Sequence, residues 1–220
     1  MADTFEEDDD FTRLVEWLKA NGLALAAGIG LGLAVVVGWY WWQAHVDKQA
    51  YAAAELHDSL VQRVNAEGFD EAARAELETL KDEYAGSPYA ANAAMQLAAH
   101  AADQQDYDLA LAQLDWVLAE SDSTPVRNLA RVRKARVLWA AGRDDAALEL
   151  LREEHPSSFE RLYAELTGDI HAARGEPEQA HEAYQQAAAA ADSQVGGAML
   201  QRKLVQTHSA EAGPTSDEGA

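Results

Sequence analysis

The sequence predicts an all-α protein: one N-terminal transmembrane helix, then a solenoid of about four helical hairpins closed by a capping helix. Three observations carry this. Leu23 to Trp42 is a run without a charged residue. From Gln43 onward the chain is rich in Ala, Leu, Glu and Gln and poor in Pro, Val and Ile, a composition that favours helix. Within that part, Gly68, Gln105, Gly142 and Gly175 recur between helical stretches at separations of 37, 37 and 33 residues.

The elements follow in order. Met1–Asp10 is acidic and poor in apolar residues, as expected of a flexible tail. In the next stretch Phe11, Leu14, Val15 and Leu18 stand at i, i+3, i+4 and i+7, an amphipathic helix leading into the membrane. The uncharged run at ~1.5 Å per helical residue matches a hydrocarbon core of ~30 Å. It is too long for the apolar part of a cleaved signal peptide. It also ends in Trp39, Tyr40, Trp41 and Trp42, rings that favour the headgroup layer. Arg13, Lys19 and the N-terminal amine precede the span, whereas only Lys48 follows closely, so the positive-inside rule leaves the N-terminus cytoplasmic and the bulk of the chain outside. The expected divisions are residues 1–21 for tail and lead-in helix, 22–43 for the span, 44–208 for the repeat domain and 209–220 for a disordered tail.

The net charge is −21. Seven of the 38 acidic residues and two of the 17 basic ones precede the span, so the remainder is strongly acidic. That argues against nucleic-acid binding, which rests on Lys and Arg neutralising phosphates. The chain has no cysteine, which removes disulfides, thiolate metal sites and thiol catalysis together.

Each loop residue of the repeat is followed five positions later by an alanine: Ala73, Ala110, Ala147 and Ala180. Four positions beyond comes a large residue, Leu77, Leu114, Leu151 or Tyr184, and seven before the loop stands Val61, Ala98, Ala135 or Gly168. Small residues at facing positions let paired helices approach, and the large residue fills the next layer. This register resembles the tetratricopeptide repeat, a helix-turn-helix unit of about 34 residues. Two positions depart from it: Val61 is not small and Gln105 is not glycine.

No catalytic pattern is present. The seven histidines form no H-E-x-x-H or i, i+4 ligand pair, and there is no nucleophile elbow or phosphate-binding glycine loop. Gly28, Gly30 and Gly32 lie inside the apolar run. No cofactor and no enzymatic activity are expected.

Recognition surfaces are the alternative. Carrying the repeat's groove positions over by register gives Asn92 and Met95 in the second unit, Leu129, Val132, Arg136 and Trp139 in the third, and Leu162, Glu165 and Asp169 in the fourth. Such a mixed groove suits an extended or partly folded polypeptide, with Trp139 open to a second reading as a core residue. Arg127, Arg131, Arg133, Lys134 and Arg136 crowd one helix, and Arg127, Arg131 and Lys134 share a face. That patch either docks an acidic partner or pairs with Asp144, Asp145 and Glu149 on the following helix. Ala24, Gly28 and Gly32 form a small-residue stripe, which either admits a neighbouring membrane helix or reflects the ordinary abundance of small residues there.

The anchor pattern W-L-K-A-N-G-L-A-L-A-A-G-I-G-L-G-L, then G-W-Y-W-W, resembles the YfgM family of bacterial inner-membrane proteins, ancillary subunits of the Sec translocon. The matching positions are Trp17, Lys19, Asn21, Gly22, Ala24, Leu25, Gly28, Leu31, Gly32, Gly38, Trp39 and Trp42; Tyr40 stands where members often carry a basic residue. The resemblance implies a single-pass inner-membrane protein with its repeat domain in the periplasm. Its partners would be the SecYEG translocon, a membrane-anchored chaperone of the peptidyl-prolyl isomerase type, secreted client polypeptides and membrane lipid. A single-span scaffold of another envelope assembly, such as cytochrome c maturation or cell division, stands as the alternative.

Overall fold

The computed structural model describes the backbone of residues 4–190 and 197–211, and side chains at 13, 15–190 and 197–207. Those residues form nine α-helices and one short 3-10 turn, with no strand among them. The helices are α1 (Thr4–Glu67), α2 (Glu71–Glu83), α3 (Pro88–Asp103), α4 (Tyr107–Glu120), α5 (Thr124–Ala140), α6 (Asp144–Leu151), α7 (Glu160–Ala173), α8 (Pro177–Ala189) and α9 (Gly197–Glu211). Two compact units divide between Ala52 and Ala53.

In the first unit, α1 already includes the acidic run Glu6–Asp10, which composition alone places in a flexible tail. Carboxylates in the first turns of a helix favour its positive end, which gives that run a reason to be helical. The side chains of Phe11 and Leu14, half of the expected lead-in stripe, lie outside the described residues. α1 contains the one helical stretch, among the described residues, long and apolar enough to cross a membrane, and none of that stretch is buried by protein. Leu23, Ile29, Leu31, Val35 and Val37 are all exposed, a continuous apolar surface that water does not tolerate and lipid does. At its end the rings of Trp39 and Trp42 lie 5.5 Å apart and Trp41 stacks on His45.

The second unit is a stack of hairpins: the end of α1 with α2, then α3 with α4, α5 with α6, and α7 with α8. Each second helix packs on the first helix of the next unit, and α3–α5 and α5–α7 contacts build an inner layer. α9 packs on α8 as the first helix of a unit without a second one. This corresponds to the expected capping helix, while the rest of the expected C-terminal tail, 212–220, lies outside the described residues.

All four predicted loop residues adopt positive φ: Gly68 at 77°, Gln105 at 61°, Gly142 at 72° and Gly175 at 73°. At the last three the chain closes with paired bonds. Asp106 N donates to the Ala101 carbonyl at 2.8 Å, Arg143 N to Leu138 at 2.8 Å, and Glu176 N to His171 at 3.0 Å, each with a second, shorter-range bond from the loop residue itself. This is the Schellman closure, in which a left-handed residue satisfies the carbonyls a helix end leaves open. Gly68 closes differently: its N donates to the Val64 carbonyl at 2.9 Å and its own carbonyl accepts from Asp70 N at 3.0 Å.

Ala73, Ala110, Ala147 and Ala180 are fully buried, and Leu77, Leu114, Leu151 and Tyr184 are buried one turn on. Gly168 stands at the crossing of α7 and α8, where the Tyr184 ring packs directly over it. The core falls into two clusters, a large one from Ala53 to Ile170 and a smaller one of Ala164, Ala180, Tyr184, Ala187 and Leu200 beneath α9.

Candidate partner groove

The inner helices α3, α5 and α7 carry every position assigned to the groove, and their environments differ from unit to unit. On α3, Asn92 is exposed and accepts a 2.7 Å bond from Gln96, whereas Met95 is buried. On α5, Val132 is 1% exposed and belongs to the core. Leu129 and Trp139 are half-buried against that core, so Trp139 serves packing with part of its surface still open. Arg136 is exposed.

Met95 and Arg136 meet at a cleft of about 410 Å³ between α3 and α5. Leu114 and Val137 complete its apolar floor, and Arg133 and Asp103 stand with Arg136 among its charged lining residues. Among the described residues neither Arg133 nor Arg136 makes a hydrogen bond or an ion pair, although both belong to a chain with more than twice as many acids as bases. Arg133 was not among the groove positions read from the sequence. Its signal was present: it stands three residues before Arg136, on the face that the spacing turns toward α3.

The fourth unit is arranged differently. Lys203 of α9 donates to Glu165 at 3.0 Å and to Asp169 at 2.6 Å. Arg161 adds a 3.1 Å bond to Glu165, and the Tyr184 hydroxyl donates to Asp169 at 2.8 Å. Burial works against the Lys203 charge, but the bonds to Asp169 and Glu165 outweigh it and hold the ammonium above the ordinary lysine range. Burial, and after it the Asp169 carboxylate, push the Tyr184 hydroxyl well above its usual range. The two acids are thus engaged by α9, while Leu162 is half-buried beside them.

The basic stretch on α5 is internally satisfied on its other face. Arg127 donates to the Ser121 carbonyl at 3.1 Å. Arg131 pairs with Glu153 at 3.1 Å and donates to the Glu154 carbonyl, and Lys134 pairs with Asp115 at 2.5 Å. The partners lie on α4, at its C-terminal cap and after α6, not at Asp144, Asp145 and Glu149. Asp145 pairs with Arg174 instead, at 2.7 Å.

In the first unit Ala24, Gly28 and Gly32 are exposed, and a Cβ added at either glycine would meet nothing within 4 Å. Among the described residues no group of three or more His, Asp or Glu side chains could hold a metal ion.

An apolar anchor helix joined to stacked hairpins with left-handed loop residues at fixed register defines a membrane-anchored helical-repeat protein. The tetratricopeptide repeat-like domain family matches residues 15–209, from the lead-in helix to α9. A protein of Haemophilus influenzae named ancillary SecYEG translocon subunit is 30% identical over 204 residues, covering 93% of this chain and 96% of that one. Proteins of the same name from Neisseria gonorrhoeae (30% identical, 93% of this chain and 98% of that one) and Escherichia coli (27%, 81% and 85%) are similar along most of their length. The chain belongs to this family, the ancillary SecYEG translocon subunits. No solved structure matches it.

Proposed function

We propose that the protein is an ancillary subunit of the Sec translocon, without catalytic activity, which holds a polypeptide-binding repeat domain beside the SecYEG channel. The observation that carries this reading is the extent of the family likeness: it spans anchor and repeats together, 93% of the chain and 96% of the Haemophilus influenzae relative. The anchor lies with its N-terminus in the cytoplasm, as Arg13 and Lys19 before the span favour, and the repeat domain extends from residue 44 to 208 in the periplasm of the inner membrane.

The mechanism is tethering. A domain confined beside the channel meets emerging chains at the effective concentration its anchor sets, so modest affinity suffices for capture. From there clients pass to a membrane-anchored periplasmic chaperone of the peptidyl-prolyl isomerase type. Val132 and the buried face of Met95 serve the scaffold, and the open surfaces of Asn92, Leu129, Arg136 and Trp139 face the client.

Membranes solubilised in a mild detergent, followed by purification of the tagged full chain and quantitative mass spectrometry, test the assembly. SecY, SecE and SecG are expected in stoichiometric recovery together with an isomerase-type chaperone. Recovery of the chain without any translocon subunit would refute the proposal. Reporter fusions after Asp47 test the topology, with periplasmic alkaline phosphatase activity expected.

A further inference from the structure

The cleft between α3 and α5 combines an apolar floor with unpaired cationic side chains. Its floor is apolar, made by Met95, Leu114 and Val137, and its lining carries two arginines, Arg133 and Arg136, with no bonded partner among the described residues. Elsewhere in the domain Arg63, Arg131, Arg143, Arg161 and Arg174 each pair with a carboxylate. Two guanidiniums left unpaired one turn apart, in a chain of net charge −21, make a local positive site on a negative surface. Asp103 also lines the cleft and forms no ion pair with either. A volume of about 410 Å³ accommodates a short stretch of side chains and is small for a folded partner.

We propose that this cleft selects acidic-apolar segments of unfolded polypeptide. One or two large aliphatic side chains enter over Met95, Leu114 and Val137, and an adjacent Asp or Glu accepts from Arg133 and Arg136. The selection rests on the reading of the groove as a client-binding surface and narrows it to one sequence class. Guanidinium is suited to the role because its planar donors match a carboxylate in two-point fashion and it is weakly hydrated for a cation.

The test uses the full-length chain in phosphatidylcholine nanodiscs and three fluorescein-labelled dodecapeptides sharing a Leu-Leu centre, flanked by Asp, Gln or Lys. Anisotropy titrations are expected to rank Asp over Gln by on the order of tenfold, with Lys weakest. That order runs against the global charge, which attracts the Lys peptide. The double variant Arg133→Gln/Arg136→Gln is expected to lose the Asp advantage while still binding the Gln peptide. Neither side chain bonds to the fold, so its thermal melt should coincide with the parent's. Equal affinity for Asp and Gln peptides, or an Asp advantage that survives in the double variant, would overturn the selection and leave the groove reading standing. Failure of all three peptides to bind would remove the groove reading itself. Displacement of the Asp peptide by phosphatidylglycerol vesicles, through the same two arginines, would assign them to lipid headgroups and likewise overturn the proposal.

Discussion

The ring of Tyr184 fills the space that a side chain on Gly168 would need: a Cβ there would stand 2.5 Å from both Cδ1 and Cε1 of Tyr184. The first three hairpins use a leucine at the position of Tyr184 and an alanine or valine opposite. The fourth exchanges both, a larger residue against a smaller one. Gly168→Ala gains about 0.8–1 kcal/mol of helix propensity. It also forces the ring away from a closely packed position, at about 1–3 kcal/mol, and strains the Tyr184–Asp169 bond. The net expectation is destabilisation by roughly 1–2 kcal/mol in thermal denaturation of the full chain. Adding Tyr184→Leu should make the double variant lose less than the sum of the two single changes, because the clash is then gone.

Gln105 carries a left-handed backbone, φ 61°, at a position where the other three repeats use glycine. A side chain there costs about 1–2 kcal/mol, part of which is offset because glycine loses more chain entropy on folding. Gln105→Gly is therefore expected to stabilise the domain by about 0.5–1 kcal/mol, and Gln105→Val to destabilise it by at least as much. Equal melting temperatures for all three chains would show that the loop between α3 and α4 relaxes freely.

These two positions also show which features a sequence makes legible. The loop residues and the small and large residues flanking them obey fixed spacings, because helix pairing imposes the same requirement in every unit. The side-chain partners across units obey no such rule. Lys134 could be placed on a face of α5, yet its choice of Asp115 on α4 over Asp144 or Glu149 depends on which neighbour the stack brings near. Arg133 was visible as part of a basic run, and only the position of α3 opposite α5 makes it a cleft residue. Val132 occupies a groove register yet is buried, since inner helices also pack on one another. The engagement of Glu165 and Asp169 by Lys203 spans more than thirty residues of sequence and leaves no local signal.

That engagement predicts an alkaline weakness in α9. The folded pKa of Lys203 is raised, so its contribution to stability is complete below the unfolded value of about 10.4 and disappears as pH climbs through the folded one. Tyr184 acts in the same sense: its neutral hydroxyl donates to Asp169, and the raised folded pKa means stability is lost above the unfolded value of about 10. Limited proteolysis between pH 9 and 12 should show cleavage within α9 rising from about pH 10 upward, with α2–α5 still protected. Lys203→Met should weaken α9 docking by about 1–2 kcal/mol at neutral pH and flatten that alkaline response. An unchanged proteolytic profile in the variant would remove the role assigned to the lysine.

Asn128 and Tyr163 join the inner layer by a buried hydrogen bond, the hydroxyl donating to Oδ1 at 3.0 Å from α7 to α5. Asn128 also donates through Nδ2 to the Thr124 carbonyl at 2.8 Å, so its amide orientation is fixed from both sides. Stacking of His155 over the Tyr163 ring, with centroids 3.9 Å apart, closes the remaining side. Burial, opposed by Arg131 nearby, raises the Tyr163 hydroxyl above the ordinary tyrosine range, consistent with a group held neutral as a donor. Removing one partner strands the other away from water. Asn128→Ala is therefore expected to cost about 2–3 kcal/mol, of which the orphaned hydroxyl accounts for about 1–3. Tyr163→Phe leaves Oδ1 unpaired and should cost about 1–2 kcal/mol. The double variant removes both polar groups, so its loss should fall below the sum by about 1 kcal/mol or more. A double-mutant cycle on urea unfolding measures this coupling, and strict additivity would mean that the bond contributes nothing to the alignment of α5 and α7.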